Sequence, residues 1–111
     1  MPVVNLSDVK DEFVTPKHST AFGKLITGEH LEIGILKYKA GEGAEVHTHP
    51  HEQIIICLSG RQRMTLNGET FEIGPGQAVV IPSMVPHGTR ILEDSEVVSA
   101  KSIVGGVGHR I

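Results

Sequence analysis

His47-Thr48-His49-Pro50-His51-Glu52-Gln53 packs three imidazoles, a carboxylate and a carboxamide into one short stretch. No other segment concentrates donor atoms in this way. The rest of the chain reads as a β framework that holds this stretch and brings another histidine, His87, to it. On a β-strand, residues i and i+2 share a face, so the Cα atoms of His47 and His49 are expected about 6.6 Å apart with parallel side chains. Two imidazoles so placed can converge on one ion at about 2.0–2.1 Å from each nitrogen. Pro50 cannot donate to a ladder and bends or ends a strand. That bend could swing His51, Glu52 or Gln53 back towards the same point.

Residues 53–59 follow, apolar on both faces: Ile55 and Cys57 share the parity of Gln53, and Ile54, Ile56 and Leu58 oppose them. A strand apolar on both sides is covered on both sides. One side is the interior that holds the cluster. The other calls for a second sheet, the N-terminal segment or a partner subunit. Residues 61–73 carry Asn67-Gly68 between alternating runs, the signature of a two-residue type I′ hairpin. That register pairs Leu66 with Glu69, Met64 with Phe71 and Gln62 with Ile73 on the inward face, and Arg63 with Glu72 as an exposed ion pair. Residues 78–81 read as a buried strand. Residues 82–86 form a Pro-bounded loop leading to His87, followed by a strand to Leu92, a turn at 93–95 and a last strand over 96–104. Upstream, residues 22–26 and 31–39 read as strands. The second has Ile33 and Ile35 on one face and Leu36 and Tyr38 on the other, and the pattern does not say which is inside. Val3, Val4 and Leu6 suit a short strand, and Ser7-Asp8 a cap for one helical turn. Short strands between Gly/Pro turns, with no convincing helix, predict an all-β sandwich or barrel.

The chain has 111 residues, which favours a single domain over residues 1–111, with a core at about 21–104, an N-terminal arm at 1–20 and a loose tail at 105–111. Net charge is −3 and the ten basic residues are scattered, so a nucleic-acid partner is not expected and a small molecule is. The lone cysteine, Cys57, excludes an internal disulfide. With no secretory pattern over residues 1–12 and no apolar run long enough to span a bilayer, a cytoplasmic protein without membrane partners is expected.

At this point the sequence resembles the cupin superfamily in its small single-domain form. The first cupin motif runs G-x5-H-x-H-x3-4-E-x6-G, and Gly41, His47, His49 and Gly60 fall in register with it, Gln53 standing where the glutamate is expected. The second runs G-x5-P-x-G-x2-H-x3-N, and Gly76, Pro82 and His87 match it, with Met84 in place of a small residue and Ile91 in place of the asparagine. The resemblance covers roughly residues 31–103. It implies a jelly-roll double-stranded β-helix (the cupin barrel) with one divalent transition metal, Zn, Ni, Fe, Mn or Cu, held by His47, His49, Gln53 and His87. Glu52 is the alternative fourth ligand, one residue short in spacing; Gln53 shares the inner parity of Ile55 and Cys57. Three imidazoles and an amide oxygen form a neutral set that leaves the ion nearly its full charge, favouring Lewis acidity over affinity.

Outside that set, the candidate catalytic groups are His51, expected at the rim, Tyr38, and Lys101. Lys101 is expected as a surface lysine, or as a carboxylate-binding cation if its face is interior. Gln62 should face in. His18, His30 and His109 read as solvated. The His-x-His-Pro-x-Glu-Gln form of the first motif is similar to that of cupins that open unsaturated uronates, but the acid those proteins carry near the last strand has no counterpart in Ser99-Ala100-Lys101-Ser102-Ile103. The resulting expectation is a metalloenzyme acting on a small oxygenated, sugar-acid-like molecule by Lewis-acid catalysis. The alternatives are a three-histidine iron dioxygenase and a non-catalytic binding or sensing module. Small cupins usually pair through an outer sheet face, and Ile54, Ile56 and Leu58 suit a homodimer.

Overall fold

In the computed structural model, which describes residues 3–111, one 3-10 turn (Leu6–Asp8) precedes eight strands. They are β1 Glu12–Phe13, β2 Phe22–Thr27, β3 Leu31–Tyr38, β4 Gly43–His47, β5 Gln53–Leu66, β6 Glu69–Ile73, β7 Ala78–Ile81 and β8 His87–Ser102. Met1 and Pro2, the first residues of the expected arm, lie outside the described residues. The Asn67-Gly68 turn joins β5 to β6 in the expected register, both residues in the left-handed conformation the type I′ turn requires (φ 49° and 82°). Gln62, Met64 and Ile73 are buried beneath it. Glu72 does meet Arg63 on the outer face, at 3.8 Å, but lies closer to Arg61, at 2.8 Å.

Two expectations of strand length are corrected. Residues 53–66 and 87–102 each run as one long strand, and the two stay paired along almost their whole length. The segment 93–95 reads as a turn and Gly60 falls between two separately read stretches, yet they face each other across the ladder as a set of register shifts. Gly60 is left-handed (φ 85°), and a Cβ there would run into the Asp94 carbonyl and the Ser95 side chain. Bulges and turns use the same residues, and a bulge bends a strand without ending it. Through this bend β5 and β8 pass from one layer to the other. In one layer the order is β1-β2-β3-β8-β5-β7, and in the second β4-β8-β5-β6, all antiparallel. This is the jelly roll.

The bend settles the faces. Leu36 of β3, Ile55 and Cys57 of β5 and Val97 of β8 are buried in the core between the layers, with Met64, Ile73 and Ile81. Ile33 and Ile35 lie outside, half-buried. β7, expected as a buried strand, is buried on one face only: it pairs only with β5, and Val79 and Ile81 point in while Ala78 and Val80 are exposed. Ile54, Ile56 and Leu58 stand on the outer face, 38%, 40% and 50% exposed.

Both chain ends depart from expectation. Val3 and Val4 lie in no strand and are exposed, and the helical turn spans Leu6–Asp8 with no side-chain cap. The tail at 105–111 is docked rather than loose. Glu32 on the inner face of β3 is only 2% exposed, and a buried carboxylate must be given donors. The tail supplies them: the His109 backbone N–H and Nδ1 both reach Glu32 Oε1 at 2.6 Å. The Thr15 hydroxyl donates to the His109 carbonyl at 2.6 Å, fixing the same segment from the other side. Gly108 lies so close to Glu32 that any Cβ would collide with the carboxylate.

Candidate metal centre

His47 ends β4 directly opposite His87, the first residue of β8. His49 is not on the strand but in the loop before β5, so strand spacing alone does not place it. The Met84 N–H donates to the His49 carbonyl at 2.9 Å, and the Ser83 hydroxyl to the Pro50 carbonyl at 2.7 Å. The loop of the second motif thereby holds the loop of the first. Ring centroids lie 4.5 Å apart for His47–His87, 4.6 Å for His49–His87 and 5.5 Å for His47–His49. One ring nitrogen from each falls within 4.8 Å of the other two.

The hydrogen bonds fix which nitrogens face the centre. Nδ1 of His47 lies 2.7 Å from the Glu45 carbonyl, Nδ1 of His49 3.0 Å from that of His51, and Nδ1 of His87 2.8 Å from that of Val85. A carbonyl only accepts, so each Nδ1 carries the proton and each Nε2 presents a lone pair. Metal-binding histidines are typically oriented in this way. Burial lowers the pKa of all three, that of His49 to about 4, and the Lys101 charge pushes in the same direction. The rings are therefore neutral at pH 7 and ready to ligate.

Two further observations fit a cation at this point. His87 Nε2 is buried with no hydrogen-bond partner among the described residues. Gln53, the first residue of β5, sets its Oε1 3.1 Å from His49 Nε2. With Nδ1 protonated, both atoms are acceptors. Donors sharing one ion at about 2.1 Å each lie roughly 3 to 3.5 Å apart, so a common cation would resolve the contact. Glu52 is exposed, with its backbone N–H on Ser102 Oγ, so the structure does not bring it to the centre.

Beside the imidazoles lies a cavity of about 40 Å³, bounded among others by Tyr38, His47, Gln53, His87, Ser99 and Lys101. At roughly 10–15 Å³ per water position, it has room for a few atoms beyond an ion. Lys101 is not a surface lysine: it is 3% exposed, paired in register between Glu32 of β3 and Gln53 of β5. Burial pushes its ammonium down to about 8, Glu32 opposing, so it remains largely charged at pH 7. Tyr38 is half-buried with its hydroxyl 3.2 Å from Ser19 Oγ, and burial raises its pKa.

The other expectations for histidines change. His51 is buried rather than at the rim, its Nε2 bonded to the Val107 carbonyl at 2.6 Å, so it ties down the tail and does not border the cavity. His18 is half-buried and stacks on His47, centroids 4.8 Å apart and rings 6° from parallel. His109 is 2% exposed, with its Nε2 2.9 Å from Ser99 Oγ. Only His30 is exposed as expected. Gln62 faces in, but into the core, with its Nε2 unpartnered among the described residues.

Fold and site together define a small jelly-roll barrel with a three-histidine group suited to a metal ion. The chain belongs to the cupin family, whose Cupin domain profile matches residues 34–101. It is 31% identical over 85 residues to quercetin 2,3-dioxygenase of Bacillus subtilis, covering 75% of this chain and 25% of that protein. It is 32% identical over 65 residues to the polyketide synthase CurC of Streptomyces cyaneus, covering 58% and 42%. The chain thus spans less than half the length of these relatives. Among solved structures, KdgF from a Halomonas species is 28% identical with a TM-score of 0.75, covering 89% of both chains. An RmlC-like cupin from Shewanella frigidimarina reaches a TM-score of 0.82 at 15% identity, covering 95% and 93%, a likeness of fold alone. No helix of the described residues is long and apolar enough to cross a membrane.

Proposed function

We propose that this chain is a metal-dependent cupin enzyme acting on a small oxygenated carboxylate, with His47, His49, His87 and Gln53 as ligands of one divalent transition metal. The observation that carries the reading is Lys101, a buried cation in no ion pair among the described residues, on the wall of the same cavity as the imidazoles. A buried charge is costly unless paired. A ligand carboxylate arriving beside the metal would supply the missing partner. The bound ion would supply Lewis acidity towards a carbonyl or carboxylate oxygen.

The chain's own groups define the rest of the chemistry. Lys101 holds the carboxylate and fixes which end of the substrate faces the imidazoles. Tyr38, its pKa raised by burial, keeps its proton at neutral pH and can donate it at the cavity wall. Val97, Ile55 and Met64 line the floor and exclude water. The small volume favours a compact acid over a polycyclic substrate. The 31% identity to quercetin 2,3-dioxygenase supports a second reading, oxygen chemistry at a three-histidine iron centre. A non-catalytic sensing module is the remaining alternative. In either enzymatic form a second copy of the chain covers Ile54, Ile56 and Leu58.

Calorimetric titration of the zinc-loaded protein with malonate and with glucuronate tests the reading. Binding is expected for malonate, the more compact acid, and is reduced at least tenfold in Lys101→Met. Equal affinity in the two proteins would contradict the role of the lysine, and no binding of either acid to wild type would contradict a carboxylate substrate.

A further inference from the structure

A continuous line of buried polar atoms leads away from the imidazoles to the tail. Gln53 Nε2 donates to Ser99 Oγ at 2.9 Å. Ser99 Oγ lies 2.9 Å from His109 Nε2, and His109 Nδ1 lies 2.6 Å from Glu32 Oε1. Ser99, His109 and Glu32 are 1%, 2% and 2% exposed. Thr27 donates to the other Glu32 oxygen at 2.6 Å. Nothing in the metal-ligand reading requires this line, and the tail that completes it lies beyond both sequence motifs.

The directions of the bonds follow from the chemistry of the groups. Glu32 accepts only, so the His109 Nδ1 proton points to it, and Nε2 of the neutral ring accepts. The single hydrogen of Ser99 therefore goes to His109, and Ser99 keeps only lone pairs for Gln53. An amide facing lone pairs must present its NH2, which turns its oxygen to the imidazoles. We infer that Glu32, His109 and Ser99 are positioning residues that fix the orientation of the Gln53 carboxamide, so that its oxygen and not its nitrogen completes the metal centre. A glutamine ligand needs such a device, because a flip of the amide replaces a ligand with a donor that repels the ion. A glutamate at the same position would not, since both of its oxygens accept. The arrangement has the outline of an acid–His–Ser relay, but the Ser99 hydroxyl is enclosed and committed on both sides, so it acts through Gln53.

The inference rests on the proposed metal site, and its test separates the two. Co2+ binding is measured by visible absorption and chelator competition for wild type, Ser99→Ala and His109→Ala, and for both changes in a Gln53→Glu background. Each single change is expected to weaken Co2+ binding about 10- to 100-fold, as loss of an outer partner does. In the Gln53→Glu background the same changes should have almost no effect, because the carboxylate needs no orientation. Ser99→Ala removes only one oxygen and keeps the test sound if His109→Ala unfolds the tail. Wild-type affinity in Ser99→Ala, or an equal loss in the Gln53→Glu background, would overturn the inference. A readout without metal decides it if wild type binds no Co2+, an outcome that would sink the metal reading itself. In the metal-free protein the Gln53 side-chain NH2 protons should show NOEs to Ser99, and NOEs to the His49 ring instead would overturn the orientation.

Discussion

Replacing Lys101 with methionine should stabilise the metal-free protein while disabling its site. The Lys101 side chain is buried, the residue 3% exposed, and burial lowers the pKa of its ammonium from 10.5 to about 8. At about 1.36 kcal/mol per pKa unit, the charged form costs the fold roughly 3 kcal/mol at pH 7. Methionine keeps an unbranched chain of similar length, removes the charge, and should recover most of that cost. For a domain of this size the gain corresponds to a rise in Tm of very roughly 10 °C. The pH dependence is the sharper signature. Because the folded-state pKa is depressed, the unfolded chain holds the proton more tightly between pH 8 and 10.5, and stability increases with pH across that window. The advantage of Lys101→Met over wild type should therefore be greatest below pH 8 and vanish by about pH 10.5. Urea unfolding of both proteins at intervals from pH 7 to 10.5 gives the comparison. A variant no more stable than wild type at pH 7, or a difference that does not close as pH rises, would refute the claim that Lys101 is a buried cation whose desolvation outweighs the pull of Glu32.

Met84 sits at φ 66° and is 57% exposed, so Met84→Gly should relieve left-handed strain at little packing cost, for a net gain of about 0.5 kcal/mol in chemical denaturation. Met84→Val should instead lose about 1–2 kcal/mol, and equal stability of the two variants would contradict the strain. With His49 at about 4 rather than 6.5, protons compete weakly for the ligands, so bound zinc should survive to about pH 5 and be released towards pH 4 in a chelator-dye assay. The same depressed pKa means that the metal-free fold loses stability as pH falls from 6.5 to 4, less steeply in His49→Ala; parallel curves would contradict the shift. If a second copy covers the outer face of β5, Ile56→Asp should convert a dimer to a folded monomer by light scattering at micromolar concentration, and a monomeric wild type would remove that expectation.

The hairpin and the three histidines were legible because their signals are local. Asn-Gly specifies a turn within two residues, and period-2 parity put Gln53 and Gln62 inside. Where both parities are apolar, as in β3 and β8, the pattern is silent about direction, and Lys101 could not be placed. The continuity of β5 and β8 was hidden because Gly60 and Glu93-Asp94-Ser95 serve a bulge with the residues of a turn. The docked tail had one signal that went unread: Glu32 stands alone among Leu31, Ile33, Ile35 and Leu36, and a carboxylate on a buried face needs donors from elsewhere. Its partner, His109, is 77 residues away in a glycine-rich segment with no periodicity of its own. Met84 is the converse case. It replaces the small residue of the second motif, and its backbone is left-handed (φ 66°), a conformation that glycine adopts freely and a longer side chain does not.

The most direct test of the central claim is metal content. Untagged protein, wild type beside His49→Ala, is dialysed against a weak chelator and measured by elemental analysis. The account predicts about one zinc, nickel, iron, manganese or copper per wild-type chain and a loss of most of it in the variant. Iron would direct the assays to oxygen consumption, and zinc or nickel to isomerisation or hydrolysis of small acids. Wild type without metal from several expression media, or equal metal in both proteins, would contradict a centre built on His47, His49, Gln53 and His87.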